Sequence, residues 1–154
     1  MCGFIPVDME DNGNGNANAY DKSKFKTMLK LIKEAFKDGF DVSILPEGQL
    51  NPTPEKGLLD IYPGAFTLAK LSRRDIRMVA LHGTHRLWHA DENIGMTVTG
   101  RNVKVRVYPP HGRKFENADD FIDTFNTVVG EFGTTGHDIP ADQLKERLGL
   151  KEIP

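Results

Sequence analysis

Apolar positions recur in this chain with two different periods. From Lys22 to Lys37 they fall at Phe25, Met28, Leu29, Ile32 and Phe36, three and four residues apart, which predicts an amphipathic helix with Gly39 placed to stop it. Pro63 suits a first helical position, and Phe66, Ala69 and Lys70 extend a second helix to about Arg73. Phe121, Ile122, Phe125, Val128, Val129 and Phe132 predict a third, with Asn117 as its cap and Gly133 past its end. A short tail helix from Pro140 to Leu148 finishes at Gly149. Between the helices stand short runs of strand type: Gly3 to Val7, Asp41 to Pro46 (closed by the proline), and Ile76 to Leu81, the last apolar enough for a sheet covered on both faces. Val98 and Val103, Val105 and Val107 alternate with Thr99, Lys104 and Arg106 around Gly100, predicting a two-strand meander near an edge that ends at Pro109-Pro110. The Asn/Gly tract from Asp11 to Asn18 has no apolar period and reads as a loop. Strands alternating with helices define an α/β fold with a mostly parallel or mixed central sheet flanked by helices. The pattern divides into a domain over 1–133 and a tail with a short helix over 134–154.

Composition narrows the possibilities. A chain of 154 residues, 38% hydrophobic and 27% charged, suits a single globular domain. The 20 Lys and Arg nearly cancel the 22 Asp and Glu, and a formal charge of −2 lacks the cationic surplus needed to neutralise a nucleic acid backbone. One cysteine, Cys2, leaves no internal disulfide to form. The apolar runs fall far short of the roughly 20 residues that cross a bilayer, and no basic leader opens the sequence. The opening Met1-Cys2-Gly3-Phe4-Ile5-Pro6-Val7 reads as mid-strand, so the first elements of the fold are expected to precede Met1. Apolar surface exposed by their loss would favour self-association.

The stretch with most chemical content is Leu45-Pro46-Glu47-Gly48-Gln49-Leu50-Asn51, between a predicted strand and a predicted helix. Ligands of parallel α/β sheets collect at the carboxyl ends of strands, where helix N-termini offer free N–H donors. Glu47 has the chemistry to accept hydrogen bonds from hydroxyls, and Gly48 lets the backbone approach a substrate closely. The plain alternative is a strand ended by Pro46 and a turn made by Gly48. His82, His85 and His89, with Asp91, are zinc-ligand types, but they follow a strand and lack the Glu beside a paired His of a metalloprotease helix; a polar loop lining a cleft is the simpler reading, and no metal is assigned. His137 and Asp142 stand five places apart, with Pro140 starting a new helix between them, and are read as coincidence. Lys22, Lys24, Lys26, Lys30, Lys33 and Lys37 form either a solvated helix face or a surface for anionic lipid or CoA phosphates.

In order along the chain, three segments resemble blocks of the phospholipid/glycerol acyltransferase family, which includes the 1-acyl-glycerol-3-phosphate acyltransferases. Gly3-Phe4-Ile5-Pro6-Val7-Asp8 is similar to that family's second block. Pro46-Glu47-Gly48, followed by Lys56-Gly57-Leu58 and Gly64-Ala65-Phe66, resembles the third. Met78-Val79-Ala80-Leu81 with Gly83-Thr84 resembles the fourth. The resemblance spans about Gly3 to Pro110 and extends to the helix ending near Phe132. It implies acyl transfer from acyl-CoA, a co-substrate, to a hydroxyl of a glycerol-phosphate or lysophospholipid acceptor, with no resident cofactor and a membrane-associated setting. The acceptor-binding residues it implies are Glu47, Gly48, Gln49 and Asp8.

The departures from the family pattern bear on catalysis. The family's Asn-His-x4-Asp block, whose His removes the acceptor proton, precedes the second block, and this sequence begins after it. No catalytic residue is therefore assigned, and the chain alone is expected to be inactive or severely impaired. Met9 and Leu50 stand where the family carries arginines that bind the acceptor phosphate, and neither replaces a charged planar fork. Lys56 and Lys24 remain as point charges that could approach it. The alternative function is a non-catalytic lipid- or CoA-binding module.

Overall fold

A computed structural model describes residue 5 and residues 22–95 and 101–151. The strand expected at Gly3 to Val7, apart from the single position Ile5, the loop from Asp11 to Asn18, and Val98 lie outside the described residues, as do Asp8 and Met9. The chain divides into two compact units, Met1–Ile44 and Leu45–Pro154.

In the first unit, helix α1 spans Lys22–Lys37, the bounds the apolar spacing predicts. Its end is a Schellman turn. Gly39 takes φ +85°, its N–H bonds the Phe36 carbonyl at 3.3 Å, and the Phe40 N–H reaches back to the Ala35 carbonyl at 2.9 Å. Ile32 on the apolar stripe is buried, whereas Lys26, Lys30, Lys33 and Lys37 are exposed. Lys30 sits 3.9 Å from Glu34, a pairing one turn apart that contributes only tenths of a kcal/mol (about 0.3–0.5) at so exposed a position. Asp41 to Pro46 forms no strand. A strand pattern needs a ladder partner, and among the described residues no segment pairs with this run.

The second unit holds helix α2 (Gly64–Ser72), strands β1 (Val79–His82) and β2 (Lys104–Val107), helix α3 (Ala118–Phe125), helix α4 (Glu131–Thr135) and helix α5 (Ala141–Leu148). A π-turn over Asn126–Gly130 joins α3 to α4 without a break. Pro63 caps α2, and Arg73 closes it in the left-handed region at φ 53°, a place usually held by glycine. The Asn117 side chain accepts the Asp120 N–H at 2.9 Å, as its position ahead of the helix predicts. Gly133 does not end this helix. It continues to Thr135 and stops at Gly136, φ +72°, whose N–H bonds the Phe132 carbonyl at 2.8 Å. Thr134 and Thr135 donate their hydroxyls back to the Gly130 and Glu131 carbonyls, both at 2.9 Å, so neither hydroxyl is left unpaired in the extra turn.

β1 and β2 pair antiparallel, Val79 opposite Val107 and Leu81 opposite Val105, and the Tyr108 N–H extends the ladder to the Met78 carbonyl at 3.0 Å. No parallel pair occurs among the described residues, whose only sheet has these two strands. One face carries Ala80, with Met78 and Tyr108 at its end, into a core of Ile61, Phe121, Val128, Val129, Phe132, Leu144 and Leu148. Phe121 is the aromatic hub, edge-on to Phe115 at 5.4 Å and beside Phe125 at 5.9 Å and Phe66 at 6.1 Å. Leu144 and Leu148 belong to this same core, so α5 is part of the unit that begins at Leu45. On the other sheet face Val79, Leu81, Val105 and Val107 remain 46–60% exposed, so β1 is covered on one side rather than two.

Three polar clusters lock the helices in place. Arg113 forks onto Asp120 at 2.7 and 2.8 Å, reaches the Thr124 hydroxyl at 3.0 Å, and donates from Nε to the Arg147 carbonyl at 2.8 Å, tying the end of α5 to α3. The Arg113 bond holds the Asp120 carboxyl below its usual range. Asp138 accepts the Tyr108 hydroxyl at 2.7 Å and pairs with Arg106 at 3.0 Å. Burial, reinforced by Asp138, pushes the Tyr108 phenol well above its ordinary value. The cross-strand neighbours His82 and Lys104 both reach the carboxyl end of α4, His82 Nδ1 at 2.8 Å from the Gly133 carbonyl and Lys104 Nζ at 3.1 Å from that of Gly136.

Candidate functional site

The segment after Leu45 folds as a compact loop rather than as an open crossover. Pro46 accepts the Tyr62 N–H at 3.0 Å, closing the loop at its two ends. Gly48, φ +69°, bonds through its N–H to the Leu45 carbonyl at 3.1 Å. A Cβ at that position would lie 3.3 Å from the Tyr62 ring, so glycine serves both the backbone angle and the close approach. Inside the loop, Glu47 Oε2 accepts the Leu59 N–H at 2.9 Å and the Asn51 amide at 3.2 Å. Asn51 also donates to the Gly57 carbonyl at 2.8 Å and accepts the Thr53 N–H at 2.9 Å. Glu47 is half-buried, and both bonds fall on one oxygen. Oε1 has no protein donor among the described residues.

This bonding gives Glu47 a role the sequence does not show. Its carboxylate ties Pro46-Glu47-Gly48 to Lys56-Gly57-Leu58-Leu59 across twelve residues of chain. The second of these stretches forms one wall of an open groove of about 580 Å³. That wall is Lys56 to Ile61; the other is the face of α3, the π-turn and α4 that presents Ile122, Asn126, Gly130, Glu131 and Thr134. Glu47, Gly48 and Gln49 do not line the groove. Glu47 stands directly behind the wall through its bond to Leu59, Gly48 makes the turn, and Gln49 is exposed. Asp8 lies outside the described residues.

The π-turn shapes the helical wall. Ile122, Asn126, Gly130 and Thr134 are four residues apart, and in a pure α-helix each such step overshoots a full turn by about 40°. A π-turn takes more residues per turn and swings the series back, which keeps these four positions toward one side. No periodicity in the sequence marks this segment as other than α-helix. The groove residues Asp60, Asn126, Glu131 and Thr134 were not candidates from the sequence, because the two walls are more than sixty positions apart.

Other candidate residues take structural places. His82 caps α4, as described above. His89 lies 3.5 Å from Asp91 and its Nδ1 accepts the Asp91 N–H at 3.3 Å, within an exposed turn. Burial, then the neighbouring Arg86, lowers the His85 pKa. Among the described residues no group of three His, Cys, Asp or Glu is arranged to hold a metal ion. His137 and Asp142 are both exposed, and His137 meets the Thr135 hydroxyl through its backbone, donating its N–H at 3.1 Å and accepting at its carbonyl at 3.3 Å. Leu50 is 78% exposed, an uncharged side chain where the family resemblance expects a phosphate-binding arginine. Lys56 lines the groove. No helix among the described residues is long and apolar enough to cross a membrane.

Compared with known proteins, the chain matches no family model, no curated protein and no solved structure.

Proposed function

We propose that the chain forms the acceptor side of a glycerolipid O-acyltransferase site, in an α/β domain of that family's type, with acyl-CoA as the donor and a lysophospholipid or glycerol-phosphate derivative as the acceptor. The observation that carries this reading is the bond from the Leu59 N–H to Glu47. It brings two of the segments that resemble the family's third block into one loop, Pro46-Glu47-Gly48 and Lys56-Gly57-Leu58, and the third segment, Gly64-Ala65-Phe66, begins α2 directly after that loop closes. Of these, Lys56-Gly57-Leu58 lines a groove whose volume lies within the roughly 300–1,000 Å³ common for small-ligand sites. Glu47 Oε2 fixes that wall from behind through its bond to the Leu59 N–H.

Among the described residues of the lining there is no imidazole, which favours a second reading, lipid binding without catalysis. The two are separated by the general base. A positioned base is worth about 10²–10⁴ in rate, so this chain is expected to bind acceptor while transferring acyl groups at least about a hundredfold more slowly than an enzyme supplied with one.

Titration of the purified chain with short-chain lysophospholipids, followed by transfer from radiolabelled acyl-CoA, tests the proposal. Saturable binding that weakens in Glu47→Ala is expected, with circular dichroism confirming that the variant is folded. Failure to bind any lysophospholipid would overturn both readings. Acyl transfer at an ordinary enzymatic rate would overturn the expectation that this chain alone is inactive or severely impaired.

A further inference from the structure

The charges along the groove bear on which acceptor it takes. Among the described residues its lining holds one cation, Lys56, against two carboxylates, Asp60 on the loop wall and Glu131 on the helical wall. Asn126 and Thr134 supply an amide and a hydroxyl, and Leu58, Ile61 and Ile122 supply the apolar part. A free phosphomonoester carries about −1.5 to −2 at neutral pH and would meet a groove that is itself net negative. A zwitterionic head group is complementary instead, its phosphodiester facing Lys56 and its ammonium facing the carboxylates.

The type of ammonium also follows from the lining. Quaternary ammonium groups are held over aromatic faces, and among the described residues no Phe, Tyr, Trp or His lines this groove. Carboxylates and an amide carbonyl are hydrogen-bond acceptors, which suit an ammonium that still carries N–H donors. Resting on the acyltransferase reading above, we infer that the acceptor is a lysophospholipid whose head group ends in a primary amine, with Asp60 and Glu131 as the residues that select it.

The test uses the full chain and three soluble short-chain lysophospholipids that share one acyl chain: a phosphomonoester, a trimethylammonium ester and a primary-amine ester. The primary-amine lipid is expected to bind at least about fivefold more tightly than the phosphomonoester, the size of one good exposed charge pair. The double variant Asp60→Asn/Glu131→Gln should bring the two within about twofold of each other. Asp60→Lys/Glu131→Lys should reverse the order, a gain of phosphomonoester binding that a merely unfolded protein cannot produce. Equal or tighter binding of the phosphomonoester by the parent chain overturns the head-group inference and leaves the acyltransferase reading standing. Tighter binding of the trimethylammonium lipid overturns the requirement for N–H donors. Absence of binding to all three overturns the acyltransferase reading as well.

Discussion

Replacing Glu47 separates a loop staple from a residue that serves the ligand alone. Its Oε2 takes a 2.9 Å bond from the Leu59 N–H and a 3.2 Å bond from Asn51. A hydrogen bond to a charged group contributes about 1.5–3 kcal/mol when sheltered. Here the side chain is half-buried and the second bond is long, so about 2 kcal/mol is the reasonable sum for both. Glu47→Ala should therefore lower unfolding stability by about 2 kcal/mol, because the Leu59 N–H loses its partner. Glu47→Gln keeps a carbonyl oxygen for one donor and loses the charge, and should cost about 1 kcal/mol. Urea unfolding at neutral pH reads both as a shifted midpoint at unchanged slope. Asn51→Ala completes a double-mutant cycle, with a coupling to Glu47 of at least about 0.5 kcal/mol expected for side chains in contact. An Ala variant within about 0.5 kcal/mol of the parent refutes the staple. Glu47 would then have to act on the acceptor directly or not at all.

Two further outcomes follow from backbone geometry and burial. Arg73 ends α2 at φ 53°, where a side chain is disfavoured, so Arg73→Gly should stabilise the protein by about 0.5–1 kcal/mol in thermal unfolding; a lower melting temperature would show that the Arg73 side chain makes up for the strain. His111 is held neutral mainly by burial, its Nδ1 2.6 Å from the Ile76 carbonyl, with Arg113 opposing and Asp75 favouring the charged ring. Its pKa in the folded state is lowered from 6.5, so the stability it contributes is full above about pH 6.5 and declines as the pH falls through the folded value. Unfolding measured from pH 7.5 to 5 should show this acid slope, and His111→Gln should flatten it; an unchanged slope in the variant would assign the acid sensitivity to other groups.

Local pattern was informative wherever a helix rests on its own face and its own ends. The three- and four-residue spacing of Phe25 to Phe36 with Gly39 beyond it marks α1 to its exact bounds. Asn117 ahead of Ala118, and Pro140 and Gly149 around α5, mark the other helices with the same plainness. The helix runs past the stop signal at Gly133 to Thr135 for a definite reason. Glycine costs a helix interior only about 1 kcal/mol, and compensating bonds reach the carboxyl end of α4 from His82 and Lys104 on the sheet. Those two arrive from strands some fifty and thirty residues earlier. The run from Asp41 to Pro46 shows the converse, a strand pattern with no ladder to join among the described residues.

The sequence by itself determined the helices, the ends marked by Gly39, Asn117 and Gly149, the β-type runs at β1 and β2, and the presence of a carboxylate and a glycine on the loop after Leu45. Each of these depends on neighbours within a few positions, through turn geometry or side-chain period. Only the tertiary structure decided that β1 and β2 pair antiparallel, that one of their faces stays uncovered, that the helix after Ala118 passes through a π-turn, and that Glu47 grips Leu59 behind the wall of a groove. These features bring together residues far apart in the chain. Their free energy comes from burial and from hydrogen bonds that exist only after the chain has closed on itself, so no local period carries a trace of them.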